Sequence, residues 1–115
     1  MPINDALRIR VKAALARIRG VDEKPMFGGI TFMVRGKMCV GVSKDRLMCR
    51  IDPAIHDAAL KRKGCRAVVM AGREYRGFVF VDAAAVKTKR ELDHWVGLAL
   101  DFNKTAKAST RKGRR

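Results

Sequence analysis

The chain has 115 residues, of which 48% are hydrophobic and 32% charged, a composition that indicates one globular domain and excludes a disordered protein. Twenty-six basic residues against 11 acidic ones give a formal net charge of +15 at pH 7, which predicts affinity for nucleic acid or acidic proteins. No apolar run approaches the roughly 20 residues of a membrane span.

The first predicted element is an amphipathic helix that ends at Gly20. Its apolar stripe, with the three-to-four spacing of a helix on a core, is Ile3, Leu7, Val11, Ala14, Leu15 and Ile18. The cations that flank this stripe are candidate nucleic-acid contacts: Arg8, Arg10, Lys12, Arg17 and Arg19. A second apolar face is a candidate homodimer contact and consists of Ala6, Ile9, Ala13 and Ala16.

After residue 25 the hydrophobic period changes to two, which predicts three antiparallel strands in a meander. Turns are expected at residues 35–37 and 44–45. One apolar face of this meander is predicted to hold Ile30, Phe32, Val34, Met38, Val40, Val42, Leu47 and Cys49. Residues 20–25 are interpreted as a connection between the helix and the first strand.

The register of these strands bears on the cysteines. Pairing Val42 with Leu47 and Val40 with Cys49 keeps apolar side chains on one face. In that register Cys39 points to the face opposite Cys49, so no disulfide between them is expected. An odd number of cysteines without paired spacings predicts reduced thiols and a cytoplasmic protein.

Asp52 and Pro53 predict the start of a second helix, which runs to about Lys63. Two short strands, 66–70 and 78–81, follow and are joined by a polar loop.

A capping box at Thr88 and Glu91 begins the last helix. The predicted order is α-β-β-β-α-β-β-α, an α+β domain over residues 1–103 in which an antiparallel sheet packs against helices. Residues 104–115 are predicted to be a disordered basic tail, which leaves +9 on the preceding residues. The tail's candidate nucleic-acid contacts are Lys104, Lys107, Arg111, Lys112, Arg114 and Arg115.

Several segments resemble the N-terminal domain of the TfoX/Sxy family. They are Met26, Phe27, Gly28 and Gly29, then Gly36 and Lys37, followed by segments 70–73, 76–81 and 92–96. The resemblance covers about residues 3–102 and implies an α+β fold like that of secretion chaperones. It implies a role in regulating bacterial competence genes together with the cyclic-AMP receptor protein, and it brings no catalytic residues. Full-length regulators carry a second, helical domain, so this chain is expected to be a stand-alone copy.

Other motifs have a chemical and a structural interpretation. Gly28 and Gly29 would let a partner's backbone approach, or permit a bend at the first strand. Phe78 and Phe80 resemble the base-stacking pair of an RNA-recognition motif, but core positions on a strand are favoured.

The remaining reactive side chains do not predict a catalytic or metal site. Cys65 beside Arg66 is a candidate nucleophile without an evident base. His56 and His94 lack partners at ligand spacing and are expected on the solvated surface.

The leading hypothesis is therefore a non-enzymatic regulatory or adaptor domain that works through protein contacts near DNA. The alternative is a direct, largely non-specific nucleic-acid-binding protein that uses the basic tail and the first helix. No enzyme activity, metal, cofactor or membrane association is expected. A protein partner is expected, and a homodimer is an open alternative.

Overall fold

The computed structural model describes residues 5–26 and 29–106, without the side chains of Met26 and Met70. The helices in these ranges are α1 (Asp5–Ala14), α2 (His56–Leu60) and α3 (Lys89–Asn103). The strands are β1 (Val21–Met26), β2 (Gly29–Val34), β3 (Lys37–Val42), β4 (Arg46–Arg50), β5 (Cys65–Met70) and β6 (Arg73–Asp82). They form one antiparallel sheet in the order β1-β2-β3-β4-β6-β5, which confirms the predicted α+β class.

The buried side chains of all three helices pack on the same face of the sheet. The N-terminal segment that contains α1 contributes Leu7, Val11 and Leu15. The helix α3 contributes Leu92, Trp95, Val96 and Ala99. The sheet meets them with Phe32, Val40, Leu47, Cys49, Val79 and Val81. From Leu7 to Ile18 the predicted stripe of the first helix therefore faces the core, although α1 itself ends at Ala14 and not at Gly20. Ile3, the first residue of that stripe, lies outside the described residues.

Both ends of α3 are fixed by hydrogen bonds. At its start, the predicted capping box is present, with the Thr88 hydroxyl accepting from the Glu91 amide at 3.1 Å. At its end, the buried Asn103 side chain donates to the Val34 carbonyl at 3.2 Å. Lys37 Nζ donates to the Asn103 carbonyl at 2.9 Å, so a cation satisfies the negative end of the helix. These contacts hold α3 against the β2–β3 hairpin.

The connection predicted before the first strand is itself a strand. β1 pairs along its whole length with β2, from Val21 opposite Val34 to Met26 opposite Gly29. It lies at the edge of the sheet, where Pro25 is tolerated because one side of the strand needs no ladder partner. Charged residues and a proline concealed the strand from a search for alternating apolar residues.

The β2–β3 ladder contains a bulge that sequence periodicity did not predict. Phe32 lies opposite Val40, but its neighbour Met33 lies opposite Met38, so Cys39 is an extra residue in β3. Because of this extra residue, the side chains that precede the bulge in β3 point to the face opposite the one that strict alternation predicts. Met38 consequently belongs to a cluster on the opposite face, and the expectation that it shares a face with Val40 is wrong.

The same bulge corrects the interpretation of the cysteines. Cys39 packs in the core cluster that also contains Cys49, so the prediction that they point to opposite faces is wrong. The predicted β3–β4 register itself is confirmed, since Val40 lies opposite Cys49. Cys39, Cys49 and Cys65 are all free thiols.

The predicted polar loop between the last two strands is a hairpin. β6 begins at Arg73, and the turn consists of Ala71 and Gly72, both with positive φ. The first four residues of β6 are exposed and polar, which made them resemble a loop. The second predicted helix is also shorter than expected: a 3₁₀ turn, Pro53–Ile55, capped by Asp52, leads into α2.

Gly29 is required where the β1–β2 hairpin crosses the end of β3. A Cβ at this position would collide with the carbonyl oxygen of Val42. We predict that Gly29→Ala lowers the free energy of unfolding by about 3 kcal/mol, because backbone cannot move aside as a flexible side chain can. Gly41→Ala is the control, since the nearest atom would be the Thr31 hydroxyl oxygen at 3.4 Å, an ordinary contact. Denaturant unfolding of both variants measures the difference, and equal stabilities would contradict the prediction.

Candidate functional site

The cations predicted on the first helix do not form one uniform surface. Arg8 Nη1 donates to Glu23 Oε1 at 2.7 Å, and Lys12 Nζ lies 3.4 Å from Glu23 Oε2. Glu23 belongs to the edge strand β1, so these two cations fasten α1 to the sheet. Because Glu23 partly neutralises their charge, Arg8 and Lys12 are weaker candidates for phosphate contacts than unpaired cations would be.

Arg10 has a structural role that the sequence did not indicate. Its Nη2 donates to the carbonyls of Val86 and Lys87, at 2.7 and 3.1 Å. These carbonyls close the 3₁₀ turn Ala83–Val86 that precedes α3. A guanidinium that satisfies terminal carbonyls holds α1 beside the start of α3. There, in addition to the hydrogen bonds from Thr88, its charge helps to lower the pKa of the Glu91 carboxyl.

Arg17 and Arg19 are exposed, and no carboxylate in the described ranges lies within 4 Å of either. They are the predicted α1-side cations most available to an anionic partner. Lys104 lies 3.9 Å from Asp101 in an exposed pair of little energetic consequence. The other predicted tail contacts lie outside the described residues: Lys107, Arg111, Lys112, Arg114 and Arg115.

The family-motif positions that the structure describes have architectural roles. Met26 pairs with Gly29 across the β1–β2 hairpin, whereas Phe27 and Gly28 lie outside the described residues. Gly36, with φ of +77°, completes the tight β2–β3 turn. The neighbouring Lys37 anchors the end of α3. At Gly29 the chain's own backbone makes the close approach, which favours the structural interpretation of that glycine.

The aromatic pair on β6 belongs to a methionine-rich cluster on the sheet face opposite the helices. Phe78 and Phe80 pack, half-buried, against the cluster of Met33, Met38, Met48 and Val68. The Arg46 guanidinium lies 3.6 Å from the centre of the Phe80 ring. A ring face covered by a cation is not open to a base, so the core interpretation of Phe80 is favoured.

His56 is fully buried, which overturns its expected place on the surface. Its Nδ1 accepts a hydrogen bond from the Gly77 amide at 3.0 Å, and its Nε2 lies 2.7 Å from Glu74 Oε2. Because Nδ1 is an acceptor, Nε2 carries the proton and donates to the carboxylate. The imidazole therefore ties α2 to β6 and satisfies a buried backbone amide.

We predict that His56→Leu lowers the free energy of unfolding by about 1 to 3 kcal/mol, because the Gly77 amide loses its acceptor inside the protein. Glu74→Gln is the matched control, since the amide oxygen still accepts from Nε2. Urea unfolding should give a clearly smaller loss for the control. Equal losses would show that the hydrogen bond from Nε2 to the Glu74 carboxylate, and not the buried amide, carries the stabilisation.

The three thiols are poorly suited to nucleophilic chemistry at neutral pH. Burial raises the pKa of Cys65 to about 11, although nearby Arg62 acts in the opposite direction. Burial also raises the pKa of Cys39 to about 12 and that of Cys49 further. His94 is half-buried, contrary to expectation, and burial together with Arg62 lowers its pKa. A thiolate nucleophile at neutral pH is disfavoured at each cysteine.

We predict that Cys65 in the native protein reacts with iodoacetamide at pH 7 about a hundredfold more slowly than in urea. The reason is that raising the pKa from 9.0 to about 11 reduces the thiolate fraction by that factor. Mass spectrometry of quenched samples follows the reaction. Rapid modification of the native thiol would restore Cys65 as a candidate nucleophile.

The structure adds a groove between α1 and α3 that the sequence did not identify. It has a volume of about 720 Å³. Small and aliphatic side chains line most of it: Ala13, Ala14, Ala16, Leu92, Val96, Gly97 and Leu100. Arg10, Arg17, Lys89 and Asp93 complete its walls. The sequence did contain one indication of this groove, the second apolar face predicted on the first helix, because Ala13 and Ala16 belong to that face.

Other site types find no support in the described part of the chain. No group of three or more histidine, cysteine or acidic side chains there is arranged to hold a metal ion. Among the described helices, none combines the length and apolar character needed to span a bilayer.

The fold and surface define a class: a small basic α+β domain with its helices on one side of an antiparallel sheet and a cation-lined groove between two of them. A comparison with known families matches residues 13–103 to the TfoX N-terminal domain. The chain therefore belongs to that family, as the sequence resemblance indicated. No curated protein and no solved structure matches it.

Proposed function

We propose that this domain is a non-catalytic regulatory adaptor that acts in the cytoplasm through protein contacts close to DNA. The observation that carries the proposal is the family match, which spans residues 13–103. The role that the resemblance implies, transcriptional regulation of competence genes, agrees with an adaptor function. The protonated, mostly buried thiols also favour a binding role over a catalytic one.

The surface charge supports proximity to DNA. The net charge of +15 attracts polyanions at long range, and Arg17 and Arg19 keep their charges without a carboxylate partner in the described ranges. Arg8 and Lys12 are instead paired with Glu23, which reduces the cation density along α1. A patch of this kind favours weak, sequence-independent attraction over base reading, which requires a rigid element in a groove of DNA.

The second candidate is a direct nucleic-acid-binding protein that uses the predicted basic tail, residues 104–115, together with the first helix. The exposed Arg17 and Arg19 favour this candidate as well. It differs from the adaptor in one respect: every partner recovered with the protein would be held through nucleic acid.

We expect a tagged full-length chain to retain a defined protein partner from native cell extract after nuclease treatment. An Arg19→Gln variant should retain that partner but lose part of the nuclease-sensitive material, because Arg19 is exposed, lies outside the groove between α1 and α3, and is available to phosphate. Quantitative mass spectrometry with and without nuclease measures both fractions. Loss of every partner on nuclease treatment would overturn the adaptor and support direct nucleic-acid binding.

A further inference from the structure

We propose that the groove between α1 and α3 is the docking site for an acidic amphipathic helix of a partner protein. The inference rests on the proposed adaptor function and names the surface and the chemistry of the partner. It is carried by three features of the groove: an unexplained glycine, an apolar floor and an unbalanced positive charge.

Gly97 lies in the interior of α3, where glycine destabilises a helix by about 1 kcal/mol relative to alanine. The described residues give no steric reason for it, because a Cβ built at this position meets none of their atoms within 4 Å, apart from the helix's own backbone. A glycine here leaves open space on the helix surface into which a group from outside can approach the α3 backbone closely. Gly97 lines the groove, so the approaching group is one that enters there.

The floor of the groove suits the apolar stripe of a helix. Ala13 and Ala16 face it from the first helix and its final turn, and Val96 and Leu100 from α3. Ile9, one helical turn before Ala13, is 60% exposed and extends the apolar surface along α1. Small side chains on both walls let a helix backbone approach closely, with aliphatic anchors at helical spacing entering between them.

The charges at the rim select an acidic helix. Arg10, Arg17 and Lys89 border the groove against the single carboxylate of Asp93. That carboxylate already accepts from Lys89 Nζ at 2.6 Å. Neither arginine has a described carboxylate within 4 Å, although Glu91, outside the groove lining, interacts with Arg10 at longer range, so the rim keeps an excess of positive charge. Glutamate or aspartate beside the apolar stripe of a partner would complement them.

The same charges argue against the two other occupants. A second copy docked through this groove would bring its own Arg10 and Arg17 against the first, and like charges at an interface repel. Nucleic acid would meet the arginines but leave the apolar floor without a complementary surface. A partner helix with an apolar stripe flanked by acidic residues complements both the apolar floor and the basic rim of the groove.

The test uses the full chain and a synthetic helical peptide of about 15 residues, with leucines at helical spacing and glutamates beside them. A second peptide carries lysines in place of the glutamates, and a third scrambles the order of the first. Fluorescence anisotropy measures the affinity of each. The acidic amphipathic peptide should bind, and both comparison peptides should bind at least about tenfold more weakly.

Two variants of the protein locate the binding. Gly97→Leu places a side chain in open space within the groove, so the fold is kept and the affinity should fall at least about tenfold. Arg17→Glu should weaken binding several-fold. Their matched controls are Ala58→Leu on the exposed side of α2 and Arg19→Glu outside the groove lining, which should retain wild-type affinity. Thermal melting confirms that all four variants fold.

Several outcomes would overturn the proposal. Equal binding of the scrambled peptide would reduce the interaction to charge alone, and unchanged affinity of a folded Gly97→Leu would exclude the groove. A wild-type dimer in sedimentation that Gly97→Leu dissociates would assign the groove to a second copy. The peptide measurements contain neither cell extract nor DNA. If every partner in the extract were lost on nuclease treatment, the adaptor function would be overturned but peptide binding would be unchanged. The two failures are therefore distinguishable.

Discussion

The rest of the structure depends on the packing of α3 along one face of the sheet. Trp95 and its neighbours on the helix bury their side chains against strands from both halves of the chain, including Phe32 and Val79. Hydrogen bonds at Thr88 and Asn103 fix where this helix begins and ends. Arg10 joins α1 to the segment before α3, and both helices pack on the same core. These contacts set the distance between the two helices and therefore the width of the groove between them.

The apolar periodicity of the sequence was sufficient for elements that bury one clean face. It located both long helices, the Val42–Leu47 register and the capping box, because each of these is determined by residues close together in the chain. It failed where a strand is polar. The edge strand β1 and the first half of β6 are exposed hairpin arms whose pairing comes from backbone hydrogen bonds, and their side chains carry little sign of it.

The candidate site was less predictable than the fold because its contacts are long-range. His56 was expected in solvent, yet its partners are 18 and 21 residues away, and no local pattern connects them. Periodicity likewise could not place Cys39, because one extra residue in β3 reverses the facing of the strand. The charges of α1 were identified correctly as residues, but their division into paired and unpaired cations depends on Glu23 in a strand that the sequence concealed.

The composition of the two outer strands has a consequence for solubility. A sheet with an open edge is a template for another strand, and such pairing leads to aggregation. Here β1 ends the sheet with three successive charged residues and a proline that has no amide hydrogen to offer. At the other edge, β5 is interrupted by an irregularity between Ala67 and Val69. Both edges therefore disfavour growth of the sheet from chain to chain.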